Sequence, residues 1–369
     1  MTASPTPAVA SEGRTAVLLV QLGTPDAPEP GAVRRYLAEF LSDPRVVELP
    51  PALWRPILHG VVLRTRPVAS ARKYRRIWMD EGSPLMVYTT RQADALARRL
   101  SERGHDVDVT FAMRYGTPAI PKVLAALRSR GVQRLLLLPL YPQYAASTTA
   151  TAFDAVAAEL ARWRLQPELH SVRDFHDDAG WLDALAAHVR ESRARVTGSD
   201  GAEARHLVMS FHGIPQRSAD AGDPYPQQCE VTARRLAERL GLAPDAWTLS
   251  YQSRFGRARW LGPGTAEVLQ ALGSGTCKGA PVDVVCPGFV ADCLETLEEI
   301  AIEGRETFSE AGGGDLRYLP CLNDAPAFVD ALADIVERRL AGWPSTQRVS
   351  TPDRDLQAAL GGMRSTWPG

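Results

Sequence analysis

His212, in Ser210-Phe211-His212-Gly213-Ile214-Pro215, ends an apolar run of strand character, and Glu295, in Asp292-Cys293-Leu294-Glu295-Thr296-Leu297-Glu298-Glu299, opens a helical one. A neutral imidazole facing carboxylates suits two kinds of chemistry, holding a divalent metal and abstracting protons. Glu295, Glu299 and Glu303 recur at i, i+4 and i+8, with Glu306 close to the same line, so an α-helix here carries a carboxylate ladder on one face. Like charges at that spacing cost only a few tenths of a kcal/mol per pair. The ladder is therefore either a solvated face or a metal-handling one, and His212 alone is just as open, since a strand-end histidine can simply hydrogen-bond a loop. The position tips the balance. Both residues follow strand ends, where open α/β sheets bind ligands, and a carboxylate at a helix start is favoured by the helix dipole.

The elements that must position them alternate along the whole chain. Apolar, β-rich runs at 16–22, 107–113, 134–140 and 168–173 read as strands, separated by helical periodicity at 31–41, 84–103, 120–129 and 147–163, the last starting at Ser147 as a cap. Strands at 206–211, 247–252, 282–286 and 316–319 repeat the scheme, with helices at 226–240, 265–272, 293–310 and 326–340. Such alternation implies parallel sheets with crossover helices. The expected fold is α/β, with two similar doubly wound, Rossmann-like domains facing a cleft. The expected divisions are a disordered leader at 1–14, a first domain at 15–170, a second at 171–342 and a polar tail at 343–369, in which 356–363 could form a short helix.

Composition and missing motifs exclude much. A formal charge of -1 over 369 residues offers nucleic acid no general attraction, so no nucleic-acid partner is expected. The first strand runs into Gln21-Leu22-Gly23-Thr24-Pro25, which has neither G-x-G-x-x-G nor a P-loop lysine. No G-x-S-x-G elbow stands at a strand end, and the thiol of Cys293, among acidic neighbours, is disfavoured as a thiolate nucleophile. The five cysteines are odd in number and widely spaced, which suits buried thiols in a reducing compartment better than a zinc or iron-sulfur site. Residues 1–12 lack the basic and apolar regions of a signal peptide, and no apolar run reaches the length of a membrane span. Residues 50–66 are apolar, contain Trp54 and end in arginines. They read either as an ordinary core helix or as one lying on a bilayer or at the lip of an apolar cleft.

Several short motifs occur in one order: Leu22-Gly23-Thr24-Pro25, Tyr74-Arg75-Arg76-Ile77, Gly82-Ser83-Pro84, Met113-Arg114-Tyr115-Gly116, and Leu138-Pro139-Leu140-Tyr141-Pro142-Gln143-Tyr144 with Ser147-Thr148-Thr149. They continue as Ser210-Phe211-His212-Gly213-Ile214-Pro215, Gly222-Asp223-Pro224-Tyr225-Pro226, Gln252-Ser253-Arg254-Phe255-Gly256 with Trp260-Leu261-Gly262-Pro263, and Leu294-Glu295-Thr296-Leu297. In this order they resemble ferrochelatase over about residues 15 to 340. The resemblance implies a chelatase-like fold and insertion of Fe2+ into protoporphyrin IX with release of two protons. It implies that His212 and Glu295 are the iron-contacting and catalytic residues, and that Asp292 and Glu299 pass metal inward or protons outward along a helix containing a π turn.

A porphyrin is a flat apolar disc with anionic propionates. Leu22, Tyr115, Phe211 and Trp260 suit its walls, and Arg75, Arg76 and Arg114 its carboxylates, each arginine also being an ordinary candidate for a surface ion pair. Leu22 stands where relatives acting on coproporphyrin commonly have Tyr, which favours protoporphyrin. Cys293 replaces a His of some relatives, and no cysteine follows Cys321, so no 2Fe–2S cluster is expected. Fe2+ is then a substrate, no permanently bound cofactor is expected, and the location implied is the cytoplasm, with peripheral contact to the inner face of the membrane. A carrier that binds tetrapyrrole or metal without turnover, and a chelatase for another metal or for coproporphyrin III, are the competing readings.

Overall fold

The computed structural model describes residues 13–197, 205–254 and 258–345. Its first half runs β1 (Arg14–Thr24), α1 (Pro30–Phe40), α2 (Pro51–Ile57), a π turn (Leu58–Val62), α3 (Leu63–Ile77), α4 (Pro84–Glu102), β2 (Asp108–Gly116), α5 (Ile120–Ser129), β3 (Val132–Pro139), a π turn (Ala146–Ala150), α6 (Thr151–Leu160), β4 (Glu168–Ser171) and α7 (Ala179–Thr197). The second runs β5 (His206–His212), α8 (Gln216–Asp220), α9 (Tyr225–Leu240), β6 (Trp247–Gln252), α10 (Thr265–Ser274), β7 (Val282–Val285), α11 (Leu294–Leu297), a π turn (Glu299–Gly304), α12 (Arg305–Glu310), β8 (Leu316–Tyr318) and α13 (Pro326–Leu340). The strands form two parallel sheets with the same order, β2-β1-β3-β4 and β6-β5-β7-β8. The expected α/β class with two like, doubly wound halves is what the chain adopts.

Parallel strands covered on both faces need apolar side chains on both, and alternate residues sort by face. On β1, Val17 and Leu19 enter the large central core, whereas Ala16, Leu18 and Val20 meet Ile120, Leu124 and Leu127 of α5 and Val156 of α6. On β5, Leu207 and Met209 join the same central core, while Val208 faces Leu269 and Phe308. The two halves therefore share one continuous core between their sheets.

Two helices tie the halves together. α7 occupies part of a stretch, 174–205, for which the sequence pattern names no element, and it packs on both α9 and α13. α13 ends the second half yet returns to pack on α4 and β3 of the first. Its Phe328, Leu332 and Val336 are fully buried, each contributing roughly 2 kcal/mol. Arg103 at the end of α4 fixes the return, reaching Asp334 at 2.6 Å, Glu337 at 3.0 Å and Asp330 at 3.1 Å.

Three boundaries differ from expectation. Arg14 already belongs to β1, and the rest of the leader, 1–12, lies outside the described residues. The loose tail cannot begin at 343, because Trp343 stacks on His170 at 3.9 Å and Ser345 hydrogen-bonds His105 at 3.0 Å. Residues 346–369, including 356–363, lie outside the description. Ser147 is not a cap. The helix opens one residue earlier in a π turn, and the Ala146 N–H is taken by Asp223 of the second half at 2.7 Å, so the cap comes from across the interface.

Candidate active site

His212 closes β5 in register with Gln252, the last residue of β6. The next residue must be glycine, because a Cβ at Gly213 would lie 2.9 Å from the Gln252 carbonyl and 3.3 Å from the Trp260 ring. His212 Nδ1 lies 2.7 Å from the Gly213 carbonyl oxygen. A carbonyl can only accept, so Nδ1 carries the proton, and in the neutral imidazole Nε2 then holds the lone pair. That tautomer is the one a proton acceptor needs.

Gln252 links the imidazole to the carboxylates. Its side-chain amide donates to the Glu295 carbonyl at 2.6 Å and to Glu299 Oε2 at 3.3 Å, and its Oε1 accepts from Ser210 Oγ at 2.7 Å and Cys286 Sγ at 3.5 Å. Ser253 donates its hydroxyl to the same Glu299 oxygen. Ser253 holds φ at 63°, a left-handed backbone that costs a residue with a side chain about 1 kcal/mol or more and persists where surroundings enforce it. Burial lifts the Glu299 carboxyl above the usual range, and the charge of Glu295 lifts it further, against the pull of Ser253, His212 and Gln252. Glu299 thus sits within electrostatic reach of both Glu295 and His212.

The first half supplies phenols. Burial raises the Tyr74 hydroxyl well above its ordinary value, with Glu295 the next cause; Tyr36 is raised by burial, then by Tyr74 and Glu295. Both stay protonated at neutral pH, neutral phenols that the charge of Glu295 reaches through space. α3 closes this side: Tyr74, Ala71 and Ile77 pack with Leu294, Leu297 and Ile302 of the site helix. Cys293 is buried, and desolvation followed by the Glu295 charge pushes its thiol well up, so it stays a thiol.

The carboxylate ladder does not run straight. α11 is a single turn, followed by the π turn Glu299–Gly304, and the inserted residue breaks the i, i+4 line. Glu295 and Glu299 remain together, while Glu303 pairs with Lys73 at 2.6 Å and Glu306 with Arg76 at 3.5 Å. The other expected residues divide as well. Leu22 is half-buried at the end of β1, just before Gly23, whose φ of 113° and near-contact with the Tyr115 carbonyl admit no side chain. Trp260 is half-buried and lies against Gly213, beside His212.

Tyr115 and Phe211 are corrections: both rings are wholly enclosed, Phe211 in the central core and Tyr115 with its hydroxyl donated to Asp43 at 2.8 Å, so neither presents a wall. Arg114 is turned to the same carboxylate, at 2.5 Å, and to Thr151 Oγ1 at 2.7 Å, which occupies it structurally. Arg76 meets Glu298 at 3.2 Å. Arg75 is exposed and gives only its Nε to the Pro28 carbonyl, at 3.2 Å. Asp292 is buried and saturated, receiving Tyr318 Oη at 2.5 Å, Asn323 Nδ2 at 2.7 Å, and Thr296 Oγ1 and Cys321 N at 3.2 Å. It anchors the loop before the site helix and is no open step on a path for ions.

Among the described residues no group of three or more His, Cys, Asp or Glu side chains converges as a metal cage would. What assembles is an imidazole, its Nδ1 proton held by a carbonyl, and two carboxylates beside the ends of β5 and β6, faced by the phenols of α1 and α3. Gln252, Ser253, Tyr36 and Tyr74 belong to it although residue type alone did not single them out. Their signal was position, the end of β6 for Gln252 and its next residue Ser253, and two packed helices of the first half, α1 and α3, for the second pair.

Comparison with known proteins adds an independent line. The family model described as Ferrochelatase matches residues 14–340. The protein named Ferrochelatase from Dechloromonas aromatica is 56% identical over 339 residues, covering 92% of this chain and 91% of that one. Its namesake from Chromobacterium violaceum is 54% identical over 348 residues, covering 94% and 93%. The solved structure of SirB from Bacillus subtilis with Fe3+ superposes with a TM-score of 0.53 over 90% of this chain and 100% of that one, at 13% identity, a likeness of fold alone.

Proposed function

The chain belongs to the ferrochelatase family, and on that premise we propose that His212 accepts pyrrole protons while Glu295 and Glu299 receive the ferrous ion. The chain is an enzyme of the lyase class, not a passive carrier, and inserts Fe2+ into protoporphyrin IX, the terminal step of haem formation. Two N–H protons leave the macrocycle as one Fe2+ enters, so the charges balance, and the site needs a base for the protons as well as donors for the metal. His212, with Nδ1–H held by the Gly213 carbonyl, offers Nε2 as the first acceptor. Glu299, whose carboxyl burial inclines toward the protonated form, suits onward passage of a proton or delivery of the ion through Glu295.

The observation that carries this reading is Gln252, whose one amide grips the backbone of Glu295 and the carboxylate of Glu299 beside the His212 strand end. The disc would lie between that end and the Tyr36 and Tyr74 side, with Leu22 and Trp260 against its faces and Arg75 left for a propionate. Leu22 in place of a hydroxylated ring supports protoporphyrin as the macrocycle. The test mixes protein, protoporphyrin IX and Fe2+ anaerobically and follows loss of the free-base spectrum. His212→Ala and Glu295→Gln should each abolish turnover in a folded protein; near-normal rates in either would sink the residue roles.

Membrane contact enters this reading through a different face than Trp54. The indole is buried and donates Nε1 to the Leu41 carbonyl at 2.6 Å. The opposite side of the same segment exposes Leu53 (65%), Ile57 (47%) and Val61 (57%), one turn apart from each other. An apolar substrate partitions into lipid, so we place the chain in the cytoplasm with this ridge against the inner face of the membrane. Among the described residues no helix is long and apolar enough to cross one.

A further inference from the structure

Charged side chains that the chemistry does not use meet where α3 touches the site helix. The Glu298 side chain is only 2% exposed, yet its oxygens receive Lys73 Nζ at 3.0 Å and Arg76 Nη1 at 3.2 Å. Lys73 Nζ also reaches Glu303 Oε1 at 2.6 Å. Glu298 and Glu303 are five apart, a separation that an α-helix, whose faces repeat at three and four, does not bring onto one line. Here the Glu303 N–H donates to the Glu298 carbonyl at 2.9 Å, the five-residue hydrogen bond of a π turn, and both carboxylates arrive at one ammonium.

We propose that Lys73 is a positioning residue for metal insertion, a staple that holds the site helix in π register by bridging Glu298 and Glu303. The proposal rests on the cleft reading above and adds what keeps the cleft carboxylates in place. A buried carboxylate deprived of a cation is costly, so Glu298 resists any shift that would carry it away from α3. Without the bridge the turn can relax to the α register. That turns the residues after Glu298 about the axis by up to about 100°, the angle of one residue, and takes Glu299 off Gln252 and Ser253. Lys73 touches neither Glu295 nor Glu299. It acts through the backbone between them, while its ammonium stays charged, held up by both glutamates against the opposing effect of burial.

The experiment compares full-length wild type with Lys73→Met, Glu298→Gln, the double variant and Lys73→Arg, in anaerobic iron insertion followed by loss of porphyrin fluorescence. Each single variant should lose about tenfold in kcat, as displaced catalytic groups do, with KM for protoporphyrin unchanged within about twofold. The double variant should be no worse than the poorer single, and Lys73→Arg should recover most of the turnover. A folded Lys73→Met with wild-type kcat overturns the proposal. So does a loss confined to KM, which would make α3 a substrate-binding helix, and so do additive losses. If Glu298→Gln does not fold, Glu303→Gln replaces it, since that leaves the buried Glu298 with Lys73 and Arg76, and it must show the same loss in kcat. A wild type unable to insert iron would refute the cleft reading itself; an active wild type matched by Lys73→Met refutes only the staple.

Discussion

Replacing Gln252 by Leu keeps nearly the same volume and removes every hydrogen bond of an amide that is 4% exposed. Ser210 retains Thr265 Oγ1 at 2.7 Å, and Glu299 retains the Ser253 hydroxyl. The group left without a side-chain donor is the Glu295 carbonyl, at a cost of about 1–3 kcal/mol, to which loss of the longer bond to the Glu299 carboxylate adds about 1 kcal/mol. A total near 3 kcal/mol, set against an unfolding entropy of about 0.8 kcal/mol per degree for 369 residues, lowers Tm by roughly 4 °C. The effect on turnover should be larger in proportion. Both cleft carboxylates hang from the backbone that this amide fixes, and misplacement by a fraction of an ångström to one ångström costs about ten- to a hundredfold in kcat. Thermal melts and anaerobic insertion kinetics on the same preparation read both quantities. A variant that melts about 4 °C lower but turns over within a factor of two of wild type would refute the claim that Gln252 positions the site. An unshifted Tm would refute the orphaned carbonyl.

Glu299→Gln bears on pH. Burial and the Glu295 charge raise the Glu299 carboxyl in the folded chain, so the native state binds this proton more tightly than the unfolded one. Its contribution is then fully present below the unfolded carboxyl value and is lost as pH rises through the native one. The glutamine variant should be more stable than wild type above the carboxyl range, with a stability that falls less as pH rises through it, and should insert iron slowly; parallel profiles for the two proteins would contradict the shift. Asp292→Asn faces four donors with one oxygen fewer to accept them and should lose about 3 kcal/mol, while the molecules that remain folded keep most of their kcat. Denaturant melts paired with active-site-normalised rates decide this, and a variant of native stability without activity would return Asp292 to the ion path. Leu53→Asp with Ile57→Asp should abolish flotation with anionic liposomes at unchanged Tm, whereas Trp54→Ala should cost about 3 kcal/mol and float while folded. Equal flotation of wild type and the double Asp variant removes the ridge from the membrane.

Most of the framework was legible because parallel strands buried on both faces are continuous apolar runs. Arg134 to Leu140 and Val282 to Cys286 could hardly be anything else, and β3 and β7 lie there. α7 carries its own signal, with Trp181, Leu182, Leu185 and Val189 all buried on one stripe between β4 and β5, but the stretch joins the two repeats and belongs to the pattern of neither. The return of α13 to the first sheet was not legible. Periodicity reports that Phe328, Leu332 and Val336 face something apolar; it does not say which half provides it, and Arg103, 231 residues from Asp334, is one exposed-looking arginine among many.

The site shows why residue type locates chemistry better than it assigns roles. His212 and Glu295 stood out because an imidazole and a carboxylate at strand ends are rare enough to mean something, whereas Tyr115, Arg114 and Asp292 have the right type and the wrong partners. Each of the three is consumed by a buried hydrogen-bond network, a fate that depends on Asp43, Thr151 and Asn323, residues far away in the chain. The ladder fails for a subtler reason. Counting by fours assumes an α-helix, and a π turn spends one residue without advancing the face, so Glu303 and Glu306 leave the cleft and meet Lys73 and Arg76 instead. An inserted residue that costs a helix its regular bonding persists only where other contacts hold it, and the contacts here come from α3, the continuation of the segment that exposes Leu53 and Ile57. The surface proposed to meet lipid is therefore joined, through α3, to the turn that carries the carboxylates proposed to meet iron. A perturbation of the outer ridge that shifts α3 should be felt in kcat before it is felt in porphyrin affinity.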